Sequence, residues 1–185
     1  MRSGISTGMP TKTEQGDLAM ALFGRPSDSH VIVLAPSTAA DCFWISIEAV
    51  KLATKYMTPV VVLSEGFLVN SSEPWKIPNL KKIPKIKSPF RKKVGGYLPY
   101  KRNKETLARD WVKVGTKGLE HRIGGLEKLN ETGDVTQDAE NHDLMTRLRV
   151  EKVQRVVNDI PDLEIIGDKD ADLLLVGWGS TLGSM

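Results

Sequence analysis

The chain has 185 residues, 40% of them hydrophobic, with 26 Lys and Arg against 23 Asp and Glu and a single cysteine. That is enough material to bury one α/β core, and two complete α/β domains would be cramped in it. One cysteine excludes an intramolecular disulfide, a cluster held by four thiolates and a Cys-rich zinc site within this chain, and no apolar stretch approaches the ~20 residues of a membrane span. With no apolar leader behind a basic start, a cytoplasmic protein is the default expectation.

The net charge of +3 is unevenly spread: residues 74–104 hold 11 basic side chains and no acidic one, leaving 15 basic against 23 acidic elsewhere. Five of the ten prolines fall in the same segment. Proline fixes φ and removes a backbone donor, so an extended arm or long loop is expected there rather than a regular helix.

In chain order, Thr11 to Gly24 reads as a helix, with Thr11 and Glu14 as a capping box and Gly24 as a left-handed stop. His30 to Pro36 is an apolar, β-branched run suited to a buried parallel strand, and Ser37 and Thr38 are candidate caps for the next helix. Residues 39–57 carry a helical period, with Asp41, Glu48, Lys51 and Lys55 on one narrow stripe, so this helix is expected to be mostly buried. Trp44 falls on the polar stripe, either as a subunit contact or as a lone exposed aromatic. Thr58 to Ser64 forms a second buried strand closed by Glu65-Gly66, completing a βαβ unit of an open parallel sheet. Leu98 to Gly133 is glycine-rich and irregular. A further helix runs from an N-cap at Asp138 to about Asn158, ahead of Pro161, with apolar residues on two stripes as if wedged between two bodies. Ala171 to Gly183 reads as a buried strand followed by a glycine turn.

Few residues carry chemistry on their own spacing. Gly177-x-Gly179 lacks the third glycine of a dinucleotide fingerprint, where Leu182 stands, and suits a tight turn. His30, His121 and His142 have no metal-ligand spacing or triad pattern, and Cys42 on an apolar helical face reads as a small packed thiol. The basic arm, with Trp75, Phe90, Tyr97 and Tyr100 interleaved, leaves a non-catalytic binding module open as an alternative, although no nucleic-acid-binding fold signature accompanies it. Two loops are too particular for generic connectors: Arg2 to Gln15, and Gly118 to Lys128. The first precedes a helix and combines an arginine with hydroxyls, which suits a carboxylate or phosphate ligand.

The first loop resembles the Arg-Gly-Gly-Pro-Ser-Thr-Gly-x-Pro-Thr-Lys-x-Glu-Gln motif of the alpha subunits of 2-oxoglutarate:ferredoxin oxidoreductases, in the 2-oxoacid:acceptor oxidoreductase family. The similarity continues through Asp41-Cys-Phe, Tyr56-Met-Thr-Pro-Val, Leu63-Ser-Glu-Gly, Glu73-Pro-Trp, the Gly118 to Lys128 loop and the Asn141-His142 to Arg149 helix, and so spans nearly the whole chain. Ser3 and Ile5 depart from the motif's first Gly and its Pro, while Arg2, Ser6, Thr7 and Gly8 match it. Met1 stands where the family has an interior residue, so an internal fragment of a longer polypeptide is expected.

The resemblance implies thiamine-dependent oxidative decarboxylation of a 2-oxoacid, with electrons passing to ferredoxin and the acyl group to coenzyme A. It implies that Arg2 grips the 2-oxoacid carboxylate while Ser6 and Thr7 shape the loop. His121 and Arg122 would either approach substrate or an interface, or hold the insertion together. No catalytic residue and no metal ligand is expected in this segment. The main thiamine diphosphate ligands would lie outside it, and Mg2+ and a 4Fe–4S cluster would belong to a beta subunit. That subunit, a second alpha subunit, ferredoxin and the 2-oxoacid are the implied partners, with no nucleic acid and no membrane. The implied layout is residues 1–70 as the second half of a pyrimidine-type thiamine-diphosphate-binding domain, 71–137 as the basic arm and Gly-rich insertion, 138–160 as a connecting helix, and 161–185 as the start of a transketolase C-terminal-like α/β domain. The implied substrate is 2-oxoglutarate, with pyruvate and branched-chain 2-oxoacids as alternatives.

Overall fold

The computed structural model describes residues 3–4, 8–9, 12, 14–25, 29–86, 90–168 and 170–185. Its centre is a βαβ unit. β1 (Ile32–Leu34) and β2 (Val60–Val62) pair in parallel, Ile32 opposite Val60 and Leu34 opposite Val62, and α2 (Asp41–Tyr56) crosses between them. The ladder is extended at both ends by Ile32 N–H to the Pro59 carbonyl (3.2 Å) and Leu63 N–H to the Leu34 carbonyl (2.8 Å). α1 (Gly16–Phe23) precedes the unit and the short α3 (Gly66–Asn70) comes after it.

The start of α2 is held by side chains from two segments. Thr38 Oγ1 accepts from the Asp41 N–H (3.1 Å), as the sequence leads one to expect, and Asp41 Oδ2 accepts from the Ser37 N–H (2.8 Å). Glu73 reaches in from the arm to accept from the Ala40 N–H and the Thr38 hydroxyl, a negative charge at the positive end of the helix dipole. Trp75 then packs its ring 5.3 Å from Phe43. The Asp41-Cys-Phe and Glu73-Pro-Trp strings are thus the two halves of one cap.

At its other end α2 stops at Met57, which adopts the left-handed conformation (φ 47°, ψ 54°) that glycine usually supplies. The Lys152 ammonium donates to the Met57 carbonyl (3.1 Å). Lys152 belongs to α4 (Ala139–Gln154), whose N-cap Asp138 accepts from the Asn141 N–H at 2.6 Å and which passes into a 3₁₀ segment, Arg155–Asp159. Val156 and Val153 of this helical stretch pack on Ile32, Leu52, Tyr56, Leu34 and Val60 to make the core. The buried Tyr56 hydroxyl donates to Asp159 Oδ2 (2.6 Å), and Lys55 pairs with Asp159 Oδ1 (2.7 Å).

Between these parts, residues 71–137 are irregular, as expected. Among the described residues they contain a single short 3₁₀ turn (Leu80–Lys82) and isolated bridges such as Tyr100 with Glu131 and Lys128 with Val135. The buried Asn141 ties α4 to this insertion, accepting from the Asn130 N–H (2.9 Å) and donating to the Lys128 carbonyl (2.8 Å). Trp111 Nε1–H donates to the Thr54 carbonyl at 2.9 Å and so fixes the insertion to α2.

Four expectations are corrected. α1 begins after Gln15 without a side-chain cap, Thr11 lying outside the described residues. Gly24 has φ −83° rather than a left-handed angle; glycine is needed because a Cβ would fall 2.8 Å from the Met20 Cα. α2 buries only Leu52 and Tyr56 among its side chains, since a two-stranded sheet covers one stripe of a helix. The apolar run 171–183 forms no strand: nothing among the described residues offers it a ladder, Leu173 to Val176 are exposed, and Gly179–Gly183 is a 3₁₀ turn.

Two outcomes test this packing. Tyr56→Phe removes a hydrogen bond to a charged acceptor, worth about 1–2 kcal/mol, and amide exchange across residues 152–160 of the full-length subunit should quicken roughly tenfold. Burial pushes the Asp159 carboxyl up, but hydrogen bonds from Lys55 and Tyr56 outweigh it and hold it below the ordinary 3.8. Its contribution is therefore present above pH ~4 and lost as pH falls through the folded-state value, where the two proteins should converge; equal exchange at neutral pH would refute the role given to the hydroxyl. Lys152 is lowered from 10.5 to about 8, first by burial and then by Arg102, Arg109 and Arg149. Acylation of its amine, tracked by mass spectrometry across pH, should show a midpoint near 8, and a midpoint near that of solvent lysines, ~10.4, would contradict it.

Candidate functional site

In an open parallel sheet the loops leaving the carboxyl ends of the strands form a crevice, because the backbone departs there in different directions. Here those loops are Pro36-Ser37 after β1 and Leu63-Ser64-Glu65 after β2. Pro36 and Leu63 to Glu65 line a cavity of about 350 Å³ together with Gln15 and the Trp178 turn. Gln15 Oε1 accepts from the Trp178 indole N–H (3.0 Å), joining the end of the N-terminal loop to that turn. Gly179 has φ 62°, and a Cβ on Gly177 would fall 2.7 Å from Thr181 Oγ1. The Gly177-x-Gly179 pattern is thus a turn that closes one side of the crevice.

Two polar groups face a low-dielectric setting at this edge. Ser64 Oγ and Glu65 Oε1 are both buried, and Glu65 Oε1 has no hydrogen-bond partner among the described residues. A carboxylate oxygen removed from water without a donor is costly, so an unmatched acceptor on a residue that lines a crevice is suited to a ligand N–H or O–H.

Arg2, Ser6 and Thr7, the residues expected to bind substrate, lie outside the described residues. Their described neighbours form a loop that doubles back: the Ser3 N–H donates to the Lys12 carbonyl (2.7 Å) and the Met9 N–H to the Ser3 carbonyl (2.8 Å). Gly8 has φ 45°, and a Cβ there would lie 2.2 Å from the Ser3 carbonyl oxygen, so this loop demands glycine.

His121 does not line the crevice. Its Nδ1 lies 2.9 Å from the Tyr97 hydroxyl and 3.0 Å from the Leu119 carbonyl, and the two rings meet edge to face. Within the insertion its contacts are structural ones, and Arg122 beside it is exposed. Cys42 lies half-buried with Sγ 3.5 Å from the Thr38 carbonyl. Among the described residues no group of His, Cys, Asp and Glu could hold a metal ion, and no helix is long and apolar enough to cross a membrane. The residues that sequence reading passed over as site candidates are Ser64 and Glu65. Their available signals were position, directly after a parallel strand, and membership of the Leu63-Ser-Glu-Gly string.

The family model for pyruvate flavodoxin/ferredoxin oxidoreductases, thiamine diphosphate-binding, matches residues 1–141. A Mycobacterium tuberculosis protein, 2-oxoglutarate oxidoreductase subunit KorA, is 52% identical over 183 residues, which is 98% of this chain and 28% of that protein. The alpha subunit of 2-oxoacid:ferredoxin oxidoreductase 1 from Sulfurisphaera tokodaii is 34% identical over 190 residues, 99% of this chain and 30% of that one. Among solved structures, 2-oxoglutarate:ferredoxin oxidoreductase from Magnetococcus marinus with 2-oxoglutarate, coenzyme A and succinyl-CoA bound matches with a TM-score of 0.88 at 34% identity, covering 98% of this chain and 32% of that one. The chain thus spans less than a third of the length of these relatives. With a parallel βαβ unit and a crevice at its carboxyl edge, the chain belongs to the thiamine-diphosphate-binding family of pyruvate flavodoxin/ferredoxin oxidoreductases.

Proposed function

We propose that this chain is part of the alpha subunit of a cytoplasmic, thiamine-dependent 2-oxoacid:ferredoxin oxidoreductase that converts 2-oxoglutarate to succinyl-CoA, passing electrons to ferredoxin. The observation that carries the reading is the crevice at the carboxyl edge of the sheet, bounded on one side by Gln15 and the Trp178 turn. The identity to a 2-oxoglutarate oxidoreductase subunit supports the choice of acid.

Thiamine diphosphate, when bound, supplies the carbon nucleophile that adds to the 2-oxo group and accepts the electrons left by decarboxylation. The residues present fit a polar part of that cofactor, since Glu65 lines the crevice and its buried Oε1 is an acceptor with no partner among the described residues. Ser64 and Glu65 are the residues of this chain assigned to receive such groups. Arg2 holds the substrate carboxylate through paired charge-assisted hydrogen bonds, which fixes the 2-oxo carbon in place and offsets the negative charge. Ser6 and Thr7 shape the loop around it. On this reading the diphosphate, its Mg2+ and a 4Fe–4S cluster belong to the beta subunit, and a second alpha subunit completes the assembly.

Residues 161–185 open a transketolase C-terminal-like domain on the same reading. Its further strands would cover the apolar run Leu173 to Val176, which is exposed here. His121 and Arg122 then serve the insertion rather than the substrate.

Coenzyme A-dependent reduction of ferredoxin or methyl viologen by the full-length alpha and beta subunits tests the reading. Selective turnover of 2-oxoglutarate over pyruvate and 2-oxoisovalerate is expected. Turnover of another acid would keep the chemistry and change the substrate, and no turnover of any would favour a non-catalytic module acting through the basic arm. Arg2→Ala should lower kcat/KM for the 2-oxoacid by about 10²–10³-fold without weakening thiamine diphosphate binding, and an unchanged kcat/KM would remove Arg2 from the site. Gly8→Ala should approach the same kinetic loss without touching substrate, because its Cβ displaces the Ser3 carbonyl.

A further inference from the structure

At the edge of the sheet opposite the crevice, where Met57 ends α2 ahead of β2, α4 and the insertion enclose a second cavity of about 410 Å³. Its lining includes Arg102, Arg109, Arg149 and Lys152, with Glu127 as its acidic member and His142 beside it. Glu127 is already engaged, by His142 Nδ1 at 2.5 Å, Arg149 at 3.8 Å and the Lys128 N–H at 3.2 Å. Burial pushes its carboxyl up, but the hydrogen bonds from His142 and Lys128 and the nearby Arg149 hold it below the usual range, so it stays ionised.

The other cations hold neutral partners. Arg102 donates to the Leu107 carbonyl (3.1 Å) and approaches Met145 Sδ (3.7 Å), while its Nε is buried with no hydrogen-bond partner among the described residues. Arg109 stacks 4.2 Å over the Tyr100 ring and donates to the Pro99 carbonyl at 3.4 Å. Lys152 donates to the Met57 carbonyl. Among the described residues no carboxylate pairs with Arg102, Arg109 or Lys152. The crowding is felt electrostatically: Arg102 is lowered to about 10, by burial and then by Arg109 and Arg149. Converging half-buried cations with one committed carboxylate leave a surplus of positive charge that a multiply charged anion would balance.

We propose that this cavity binds a phosphate-bearing anion, held by Arg102, Arg109 and Lys152 at the edge of the sheet remote from the catalytic crevice. A dianion matches several cations better than a single carboxylate does, and a planar guanidinium fork such as that of Arg102 suits two phosphoryl oxygens at once. The site is independent of the reading of the crevice, and its occupancy is measured without turnover.

The experiment is acylation of Lys152 in the full-length alpha and beta complex, read by mass spectrometry at constant ionic strength with inorganic phosphate, ADP or chloride. Phosphate or ADP should slow Lys152 modification saturably by about tenfold, since raising its pKa by about one unit removes that share of the neutral amine. Protection by ADP at lower concentration than phosphate identifies a nucleotide's phosphoryl group, and equal protection identifies the free anion. Arg102→Gln should abolish protection. Arg109→Gln should weaken it several-fold, with substrate turnover reporting that the variants are folded. Equal slowing by chloride, protection that survives both substitutions, or a Lys152 already shielded in the complex without added anion would overturn the proposal.

Discussion

The structure depends on how the end of α2 is closed. Met57 turns the chain left-handed with no glycine to ease it, and three contacts from distant sequence make that turn stable: the Lys152 ammonium on its carbonyl, Tyr56 on Asp159, and Val156 in the core beside Leu52. With this end fixed, β2 starts at a defined height against β1, and its register sets where Ser64 and Glu65 emerge. A slip of one residue would exchange the faces of Val60 to Val62 and turn Glu65 away from the crevice. The geometry of the candidate site is therefore decided some distance from it, by α4.

Much of this was legible in the sequence. The βαβ unit could be read because β-branched apolar runs bracket a helical period, and the N-caps Thr38 and Asp138 because short oxygen-bearing side chains stand three residues before an N–H they accept from. The arm could be read because proline removes donors. What stayed hidden was set by contacts that no local pattern encodes. Glu73 caps a helix more than thirty residues upstream, and Met57 is left-handed because Lys152 and the Ala53 carbonyl hold it so. Ser64 and Glu65 looked like the end of a strand, and only parallel pairing converts that position into the wall of a crevice. The run 171–183 misled in the other direction: its composition is that of a strand, but a strand exists only with a ladder beside it.

The strings most similar to the oxidoreductase family divide between structure and chemistry. Asp41-Cys-Phe and Glu73-Pro-Trp form one cap. The Gly118 to Lys128 segment ends in a lysine that is almost fully buried, its ammonium donating to the Gly124 and Leu126 carbonyls and its own carbonyl accepting from Asn141. These residues anchor an irregular insertion that has no sheet or long helix to support it. A segment built mainly of loops must satisfy its backbone through side chains, so long motif strings in it are expected even where nothing reacts.

The two edges of the sheet then differ in electrostatic character for a physical reason. At the carboxyl edge the backbone amides that begin α2 point toward the loops, and the sequence answers with Asp41 and Glu73, leaving Glu65 as an unmatched acceptor. At the opposite edge the carbonyls that end α2 attract Lys152. That attraction accounts for one cation. It does not account for Arg102, which burial and the neighbouring Arg109 and Arg149 make unfavourable there, nor for Arg109, and no carboxylate among the described residues pairs with either. The fold uses the guanidinium of Arg102 only through its terminal nitrogens, on the Leu107 carbonyl and Met145 Sδ, and gives its Nε no partner among the described residues. The surplus charge at this edge is accordingly better explained by what the cavity holds than by what holds the cavity together.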